Sequence, residues 1–308
     1  MSCKDPACRK GVYDCVENKC IYKINYPDGA QTGGHAAYES FTFTSAQGEV
    51  VSITEMIFGC STDNQNFRFG ETNAISGVMG LSMSPESLIS QLINIIDKQF
   101  SYCLPDMNEG LNHSLYLSFG SDVHIPPGSD VSSTPFVSPP LSNYYYLDLL
   151  DIVVGSHRMA FPIDTFQVDK DGNGGFIIDS GAPITLLSKN ARGTDTYTAV
   201  LEVFQKFYDA HGLRRVHDRP YKFDLCYTVG RGFSEYQSLN YRLSPRTDFF
   251  VEGRDVHYFD PSGFFCVAIL PTEGSRSVLG AWHQQNKRIV YDLYNLALNY
   301  TSDSCLIS

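Results

Sequence analysis

The sequence has little positive charge and no long apolar segment. It carries 23 Lys and Arg residues against 34 Asp and Glu residues, a formal net charge of −11. A chain with this balance offers no basic surface to a phosphate backbone, so we expect no nucleic-acid partner. No run of about 18 apolar residues occurs, so we also expect no membrane-spanning helix.

Short motifs of several enzyme classes are also missing. The chain has no paired Cys-x-x-C repeat, no His-Glu-x-x-His and no Gly-x-Ser-x-Gly, which removes local support for zinc, metalloprotease and serine-hydrolase sites. Residues 169–174 match the start of an EF-hand calcium loop, but Ser180 stands where that loop needs a bidentate glutamate. We interpret this segment as a hairpin turn and expect neither metal nor cofactor.

The N-terminus lacks the charged and apolar regions of a secretory signal peptide. The chain nevertheless has nine cysteines, four of them in its first twenty residues, and this usage favours disulfides over buried free thiols. Sequons at Asn112 and Asn299 agree with an oxidising compartment. We expect a secreted or vacuolar glycoprotein whose start has been removed, mispredicted or lost. The odd cysteine fits a partner upstream of Met1.

Strand signals dominate the rest of the chain. Short aromatic or β-branched runs lie between Gly, Asn, Asp and Pro turns, at residues 38–44, 49–59, 114–120, 144–155, 174–181, 264–270 and 288–300. Two helices are predicted. One covers 84–98, with Ser84 as N-cap, and the other covers 195–212, with Val200, Val203, Phe204 and Phe207 on one face and Gly212 as its stop.

A proline-rich segment at 121–143 suggests a boundary between two mainly β lobes, residues 1–135 and 136–308. A weak repeat relates them. Both Ser76-Gly-Val-Met-Gly-Leu81 and Arg276-Ser-Val-Leu-Gly-Ala281 contain two apolar residues followed by glycine.

Residues 176–185 are the segment most informative about chemistry. An apolar strand leads into Asp179-Ser180-Gly181, and a second apolar run leaves this turn. A carboxylate in such surroundings is costly to bury unless N–H groups or a partner charge hold it. These three residues alone also fit an ordinary turn with an exposed aspartate, so the wider context has to decide.

That context resembles one lobe of a pepsin-like aspartic endopeptidase, most closely the plant nepenthesin-type branch. About 100 residues after Asp179 comes Val278-Leu279-Gly280, the apolar-apolar-Gly strand that threads behind the turn in this family. Other family-like segments follow in the right order over nearly the whole chain: 26–34, 57–60, 75–81, 100–103, 224–227 and 284–286. The resemblance implies a mainly β, bilobal pepsin-like acid protease fold with an incomplete first lobe.

The resemblance also implies a mechanism. One carboxylate from each lobe shares a proton, and the pair activates a water that attacks the peptide carbonyl. Asp179 would be the second-lobe carboxylate, with Ser180 holding the turn and the Gly181 N–H supporting the carboxylate. Tyr26 falls at the position of the flap tyrosine. The implied partner is a peptide or protein substrate, the implied state a monomer.

The chain departs from the family pattern in three ways. It has no Asp-Thr-Gly and no second Asp-Ser-Gly, and the spacing would place the first aspartate upstream of Met1, so we expect an inactive half of a dyad. Ala182 replaces a hydroxyl residue that bonds the carboxylate, which implies a less acidic pH optimum. Pro27 replaces the flap glycine and stiffens the hairpin.

The family further implies a disulfide pattern. Cys3 with Cys20 and Cys8 with Cys15 would form a nested insert before the flap. Cys226 with Cys266 would bridge the second lobe, and Cys103 with Cys305 would tie the lobes. Cys60 would be left over, its family partner lying in the upstream region.

Two further functions compete with an incomplete aspartic endopeptidase. A non-catalytic relative could use the same fold to bind another protein, as the cereal xylanase inhibitors do. The intact Asp179-Ser-Gly and Tyr26 favour the protease. A homodimer in which each chain supplies one aspartate is least favoured, because each chain has a long second lobe and its own first-lobe remnant.

Overall fold

The computed structural model describes residues 1–9, 12–26, 29–45, 48–67, 76–108, 116–137, 142–217 and 222–305. Their contacts group into two compact units, 1–91 and 92–308. β-strands dominate both units, which confirms the mainly β prediction. The lobe bounds 1–135 and 136–308 stay a prediction. Grouping residues by their contacts puts paired strands into one unit, so it does not test where a lobe begins.

The first unit is built on one antiparallel sheet with strand order β1-β2-β3-β4. Its strands are β1 (Asp14–Val16), β2 (Lys19–Asn25), β3 (Gln31–Thr44) and β4 (Val50–Gln65). The two strands predicted at 38–44 and 49–59 are therefore parts of longer ones. β3 and β4 pair along nearly their whole lengths.

The helix predicted over 84–98 was wrong in extent. Only α1 (Leu88–Leu92) is helical, and Ser87 rather than Ser84 accepts from a first-turn amide, that of Ser90, at 3.1 Å. The side chain of Ser84 instead donates to Glu86 at 2.6 Å. Such local bonds compete with helix formation, which is why a serine-rich amphipathic pattern misleads here.

The second unit contains the remaining strands. In chain order they are β5 (Gln99–Leu104), β6 (Leu117–Phe119), β7 (Ser132–Val137), β8 (Tyr145–Leu147), β9 (Leu149–Val154), β10 (His157–Arg158), β11 (Phe176–Ile178), β12 (Thr185–Ser188), β13 (Cys226–Thr228), β14 (Leu239–Leu243), β15 (Thr247–Val251), β16 (His257–Asp260), β17 (Phe264–Val267), β18 (Ile269–Thr272), β19 (Ser277–Leu279), β20 (Lys287–Asp292) and β21 (Ala297–Ser302). In the described part of this unit three α-helices accompany them: α2 (Thr196–Ala210), α3 (Gly253–Val256) and α4 (Ala281–Gln284).

Three sheets organise these strands. The largest has the order β18-β12-β19-β11-β8-β7-β21-β20-β5-β6, and two smaller ones have the orders β10-β9-β14-β15 and β13-β17-β16. In the largest sheet, strands from the middle of the chain pair with strands from its C-terminal end, as β5 does with β20. Among the described residues no helix is long and apolar enough to cross a membrane.

The second predicted helix is confirmed as α2. Asp195 caps it by accepting from the Thr198 amide at 2.9 Å. Its fully buried side chains include Val200, Phe204 and Tyr208, whereas Val203 and Phe207 are only half-buried. The buried face of α2 therefore includes Tyr208 in place of the predicted Val203 and Phe207.

Residues 288–300 were predicted as one strand and form two. β20 and β21 are an antiparallel hairpin, because the Asp292 carboxylate accepts from the amides of Tyr294 and Asn295 at 3.1 and 2.9 Å. Such an aspartate turn reverses the chain between two apolar runs. Of the two sequons, Asn299 lies half-buried in β21, and Asn112 lies outside the described residues.

The hairpin turn predicted at 169–174 is confirmed. The Asp169 amide donates to the Asn173 carbonyl at 2.9 Å, and its carboxylate accepts from the Asp171 and Asn173 amides. These backbone bonds, Asn173's above all, lower the pKa of Asp169.

Eight of the nine cysteines form disulfides, and the nested pairing expected in the first twenty residues was wrong. The bonds are Cys3–Cys15, Cys8–Cys20, Cys103–Cys305 and Cys226–Cys266. The β1–β2 hairpin places Cys15 directly opposite Cys20, so spacing alone does not decide which of them each earlier cysteine meets. Cys103–Cys305 and Cys226–Cys266 agree with the expected pairs. Cys60 is free and exposed.

One reactive thiol per chain is therefore expected in the native protein. A thiol reagent applied to the native, unreduced protein should label Cys60 once. The Cys60→Ser variant should not be labelled under the same conditions. Denaturation with reduction should expose all nine thiols as the internal control. Labelling at two or more positions in the native protein would contradict the four disulfides.

Two histidines in the described part of the second unit, His257 and His283, are fully buried. The Tyr208 hydroxyl accepts from the Gln237 amide at 3.1 Å and lies 2.9 Å from His257 Nε2, while His257 Nδ1 lies 2.6 Å from the Gly253 carbonyl. These contacts suit a neutral ring with its proton on Nδ1. Burial lowers the pKa of His257 to about 4 and that of His283 to about 3.

We predict that stability falls as pH drops from 6.5 toward 4. The unfolded histidines bind protons that the folded ones reject, so this stabilisation is present above pH 6.5 and is lost toward the folded pKa. For His257 a fall from 6.5 to about 4 corresponds to about 3 kcal/mol.

Urea unfolding at pH 7, 6 and 5 measures this dependence. His257→Gln should flatten the fall in unfolding free energy, whereas His157→Gln, at an exposed position in β10, should leave it unchanged. An equally steep fall in both variants would refute the assignment to His257.

Candidate active site

Asp179 begins a turn at the end of a fully buried strand. β11 pairs in parallel with β19 on one side and antiparallel with β8 on the other. The Asp179 amide continues the ladder by donating to the Leu279 carbonyl at 3.1 Å. Because both neighbouring strands fix β11, the carboxylate leaves the sheet at a defined point.

The turn holds the carboxylate through a backbone donor. The Gly181 amide donates to Asp179 Oδ1 at 2.8 Å, the contact that the family resemblance implies. The Ala182 amide closes the turn with a long bond of 3.4 Å to the Asp179 carbonyl. Asp179 and Ser180 are half-buried and Gly181 is exposed, so the carboxylate remains within reach of solvent.

β19 threads directly behind this turn. It lies between β11 and β12, parallel to the first and antiparallel to the second. Past its end, the Ala281 amide donates to the Ala182 carbonyl at 2.8 Å and the Trp282 amide to the Pro183 carbonyl at 3.0 Å. The segment after the Asp-Ser-Gly turn is therefore tied to the segment after β19.

Gly280 makes this close passage possible. Its amide donates to Thr185 Oγ1 at 3.1 Å, and a Cβ at this position would lie 2.4 Å from the Ile184 carbonyl carbon and 2.7 Å from the Thr185 nitrogen. No side chain fits against backbone at those distances. The glycine of the apolar-apolar-Gly pattern is thus required by packing.

Buried hydroxyl groups line the inner side of the turn. Tyr102 Oη donates to Gln284 Oε1 at 2.5 Å, lies 3.2 Å from Tyr291 Oη and also interacts with the Ser180 side chain. Burial raises the pKa of both tyrosines, and the nearby Asp179 charge raises it further. Both phenols therefore stay protonated and serve as hydrogen-bond partners beside the carboxylate.

Sequence reasoning missed this role of Tyr102, Gln284 and Tyr291. Tyr102 and Gln284 occur in family-like segments, but nothing in their local pattern places them near Asp179. Only the pairing of β5 with β20 brings them there, across about 180 residues of chain.

Tyr26 lies in the first unit, at the turn between β2 and β3. Its amide donates to the Ala30 carbonyl at 2.8 Å, and its ring meets Phe67 edge-on with centroids 5.6 Å apart. The flap role of Tyr26, which the family resemblance implies, stays a prediction. Pro27 lies outside the described residues.

The repeat between the two apolar-apolar-Gly segments does not extend to their structures. Residues 76–81 form no strand, and Val78 and Met79 are 65% and 50% exposed. In the second unit the equivalent Leu279 is fully buried in β19. Ile75, also part of the quoted segment, lies outside the described residues.

Comparison with protein families covers both parts of the chain. Residues 1–121 match the family model described as xylanase inhibitor N-terminal, and residues 144–302 match the one described as xylanase inhibitor C-terminal.

A similar curated protein is aspartic proteinase nepenthesin-2 of Nepenthes gracilis, 33% identical over 293 residues. The alignment covers 94% of this chain and 62% of that protein, so this chain spans less than two thirds of its relative's length.

Solved structures share the fold over almost the whole chain. A crystal structure of edgp superposes with a TM-score of 0.77 and 19% identity, covering 99% of this chain and 82% of that one. Basic 7S globulin from soybean gives a TM-score of 0.71 at 19% identity, with the same coverage of 99% and 82%. At these identities the likeness is one of fold.

Gly280→Ala should destabilise the protein by at least about 2 kcal/mol, because the added methyl group meets backbone on both sides. Urea unfolding at pH 7 measures the change. Gly77→Ala is the matched control, since a Cβ there meets nothing within 4 Å, and it should shift stability by less than about 0.5 kcal/mol. Equal effects of the two substitutions would show that the passage of β19 is not as tight as described.

Proposed function

This chain belongs to the plant family of pepsin-like aspartic proteases, and we propose that it supplies one catalytic carboxylate, Asp179, of an aspartic-type endopeptidase. The observation that carries the proposal is the geometry of the Asp179 turn. The carboxylate leaves a buried strand, accepts from the Gly181 amide at 2.8 Å and has β19 threaded behind it. An ordinary surface turn needs neither the threaded strand nor the buried phenols next to it.

In the proposed reaction Asp179 shares one proton with a second carboxylate. The Gly181 amide holds one oxygen of Asp179 in place and so favours a defined orientation of the group. The ionised carboxylate of the pair takes a proton from a water molecule, and this water attacks the peptide carbonyl carbon. The protonated carboxyl donates to the carbonyl oxygen. Tyr26 would close over the bound peptide as part of the flap.

Within its 308 residues the chain has one Asp-Ser-Gly and no Asp-Thr-Gly, so it contains one half of this pair. A single carboxylate has no partner with which to divide the acid and base roles. We therefore propose that the 308-residue polypeptide alone does not hydrolyse peptides. The same proposal includes a monomeric state. It also includes a secreted or vacuolar location, which the four disulfides suggest.

A second candidate is a non-catalytic protein that binds another protein through this fold. The observations that favour it are the incomplete dyad and the description of the matching family models as xylanase inhibitor. The intact turn at Asp179 weighs for the protease, because a protein that only binds has no need of a supported carboxylate.

A fluorogenic peptide assay at pH 3 to 6, with and without pepstatin, separates these functions. The 308-residue chain should show no pepstatin-sensitive cleavage. A fusion that adds upstream a segment bearing an Asp-Thr-Gly turn from a protease of this family should cleave, and Asp179→Asn in the fusion should lower kcat by at least about 1000-fold.

The matched control is Asp171→Asn in the same fusion, since Asp171 is an exposed aspartate in the turn before β11. It should keep full activity. Pepstatin-sensitive cleavage by the 308-residue chain would refute the half-dyad proposal. A folded fusion that is inactive would favour the binding protein, and one that keeps its activity after Asp179→Asn would refute the role of Asp179.

A further inference from the structure

The Leu279 carbonyl, at the end of β19, accepts two hydrogen bonds. One comes from the Asp179 amide at 3.1 Å, and the other comes from Gln284 Nε2 at 2.8 Å. A carbonyl oxygen has two lone pairs, so it can satisfy both donors at once. Asp179 is therefore linked, through one backbone oxygen, to a side chain that lies outside the Asp-Ser-Gly turn.

The orientation of the Gln284 amide follows from its partners. A backbone carbonyl only accepts, so the contact with Leu279 requires the Nε2 end. This leaves Oε1 for the Tyr102 hydroxyl, which donates to it at 2.5 Å. A reversed amide would bring Gln284 Oε1 against the Leu279 carbonyl oxygen. The two contacts therefore fix one orientation of the side chain.

The hydrogen-bonded chain from Tyr102 through Gln284 to Leu279 is shielded from water. Gln284 and Leu279 are fully buried, and Tyr102 is 7% exposed. Burial raises the pKa of the Tyr102 phenol, so the phenol stays protonated and remains a donor. A buried polar group that loses its partner finds no replacement in solvent, which makes each bond of this chain costly to break.

The two residues after Gln284 also carry amide side chains, but these bond other segments. Gln285 Oε1 accepts from the Met107 amide at 2.7 Å, and Gln285 Nε2 donates to the Asp255 carbonyl at 3.1 Å. Asn286 Nδ2 donates to Asp255 Oδ1 at 3.0 Å. Within the described residues, Gln284 is the one of these three whose side chain is hydrogen-bonded to β19.

We propose that Gln284 is a positioning residue for Asp179, with the Tyr102 hydroxyl locking its side chain. By holding the Leu279 carbonyl, Gln284 holds the acceptor of the Asp179 amide, and so the point where the carboxylate leaves β11. Catalysis depends on such placement, because a shift of about 1 Å can lower a rate about 100-fold. The effect on catalysis rests on the proposed function, whereas the effect on the Asp179 amide does not.

Amide hydrogen exchange of the oxidised 308-residue protein, followed by NMR, tests the link without requiring activity. Gln284→Met keeps a side chain of similar length but removes both hydrogen bonds. It should lower the protection of the Asp179 amide at least tenfold relative to that of the Val200 amide, in the middle of α2. Gln285→Met is the matched control, since it removes a neighbouring buried amide, and it should change this ratio less than twofold.

Tyr102→Phe provides a second variant, in case Gln284→Met fails to fold. It removes the donor to Gln284 Oε1 and leaves the bond to Leu279 in place. The protection of the Asp179 amide, again relative to that of Val200, should therefore fall less than in Gln284→Met but at least threefold.

The fusion with an upstream Asp-Thr-Gly segment tests the effect on catalysis. Gln284→Met should lower kcat, per folded molecule, at least tenfold and change KM less than twofold, because the buried Gln284 side chain acts through Asp179 and not through the substrate. Gln285→Met should keep both constants within twofold of those of the unmutated fusion.

Unchanged protection of Asp179 in both Gln284→Met and Tyr102→Phe would overturn the inference, as would equal losses in Gln284→Met and Gln285→Met. An active fusion in which Gln284→Met leaves kcat unchanged would overturn it as well. An unmutated fusion that folds without activity would instead count against the proposed function. The exchange measurement would then still decide whether Gln284 holds Asp179.

Discussion

The passage of β19 between β11 and β12 is the constraint on which the rest of the second unit depends. It sets the end of β11, and therefore the place where Asp179 leaves the sheet. Gly280 is what makes the passage possible, since any side chain there would meet the backbone of Ile184 and Thr185. Hydrogen bonds from the Ala281 and Trp282 amides then tie the segment after β19 to the segment after the Asp179 turn. One glycine and one buried strand thus position the carboxylate.

The sequence pattern predicted the structure correctly where contacts between neighbouring residues determine it. The buried run before Asp179, the turn at 169–174 and the helix capped by Asp195 all follow from neighbours in the sequence. The family resemblance added the support of the Asp179 carboxylate by the Gly181 amide, and the strand threaded behind the turn, which lies far from Asp179 in the sequence.

Prediction failed where contacts between distant residues, or competing local hydrogen bonds, determine the structure. The Ser84 side chain donates to Glu86 and the Ser87 side chain accepts from the Ser90 amide, so the amphipathic pattern yields one turn of helix instead of four. The crossed disulfides depend on how residues 2–8 pass over the β1–β2 hairpin, which spacing does not reveal. The phenols of Tyr102 and Tyr291 reach the Asp179 turn through the large sheet alone.

The large sheet also has a consequence for how the protein is made. β5 pairs with β20, and Cys103 bonds Cys305 across a sequence separation of 202 residues. Contacts of such high order are slow to form and cannot form before nearly the whole chain has been synthesised. A ribosome-bound chain therefore leaves the edge of β5 that faces β20 unpaired until β20 is made, although β6 can already pair with the other edge. Folding of the protein in the cell should therefore depend on chaperones and on an oxidising compartment more than the stability of the folded protein suggests.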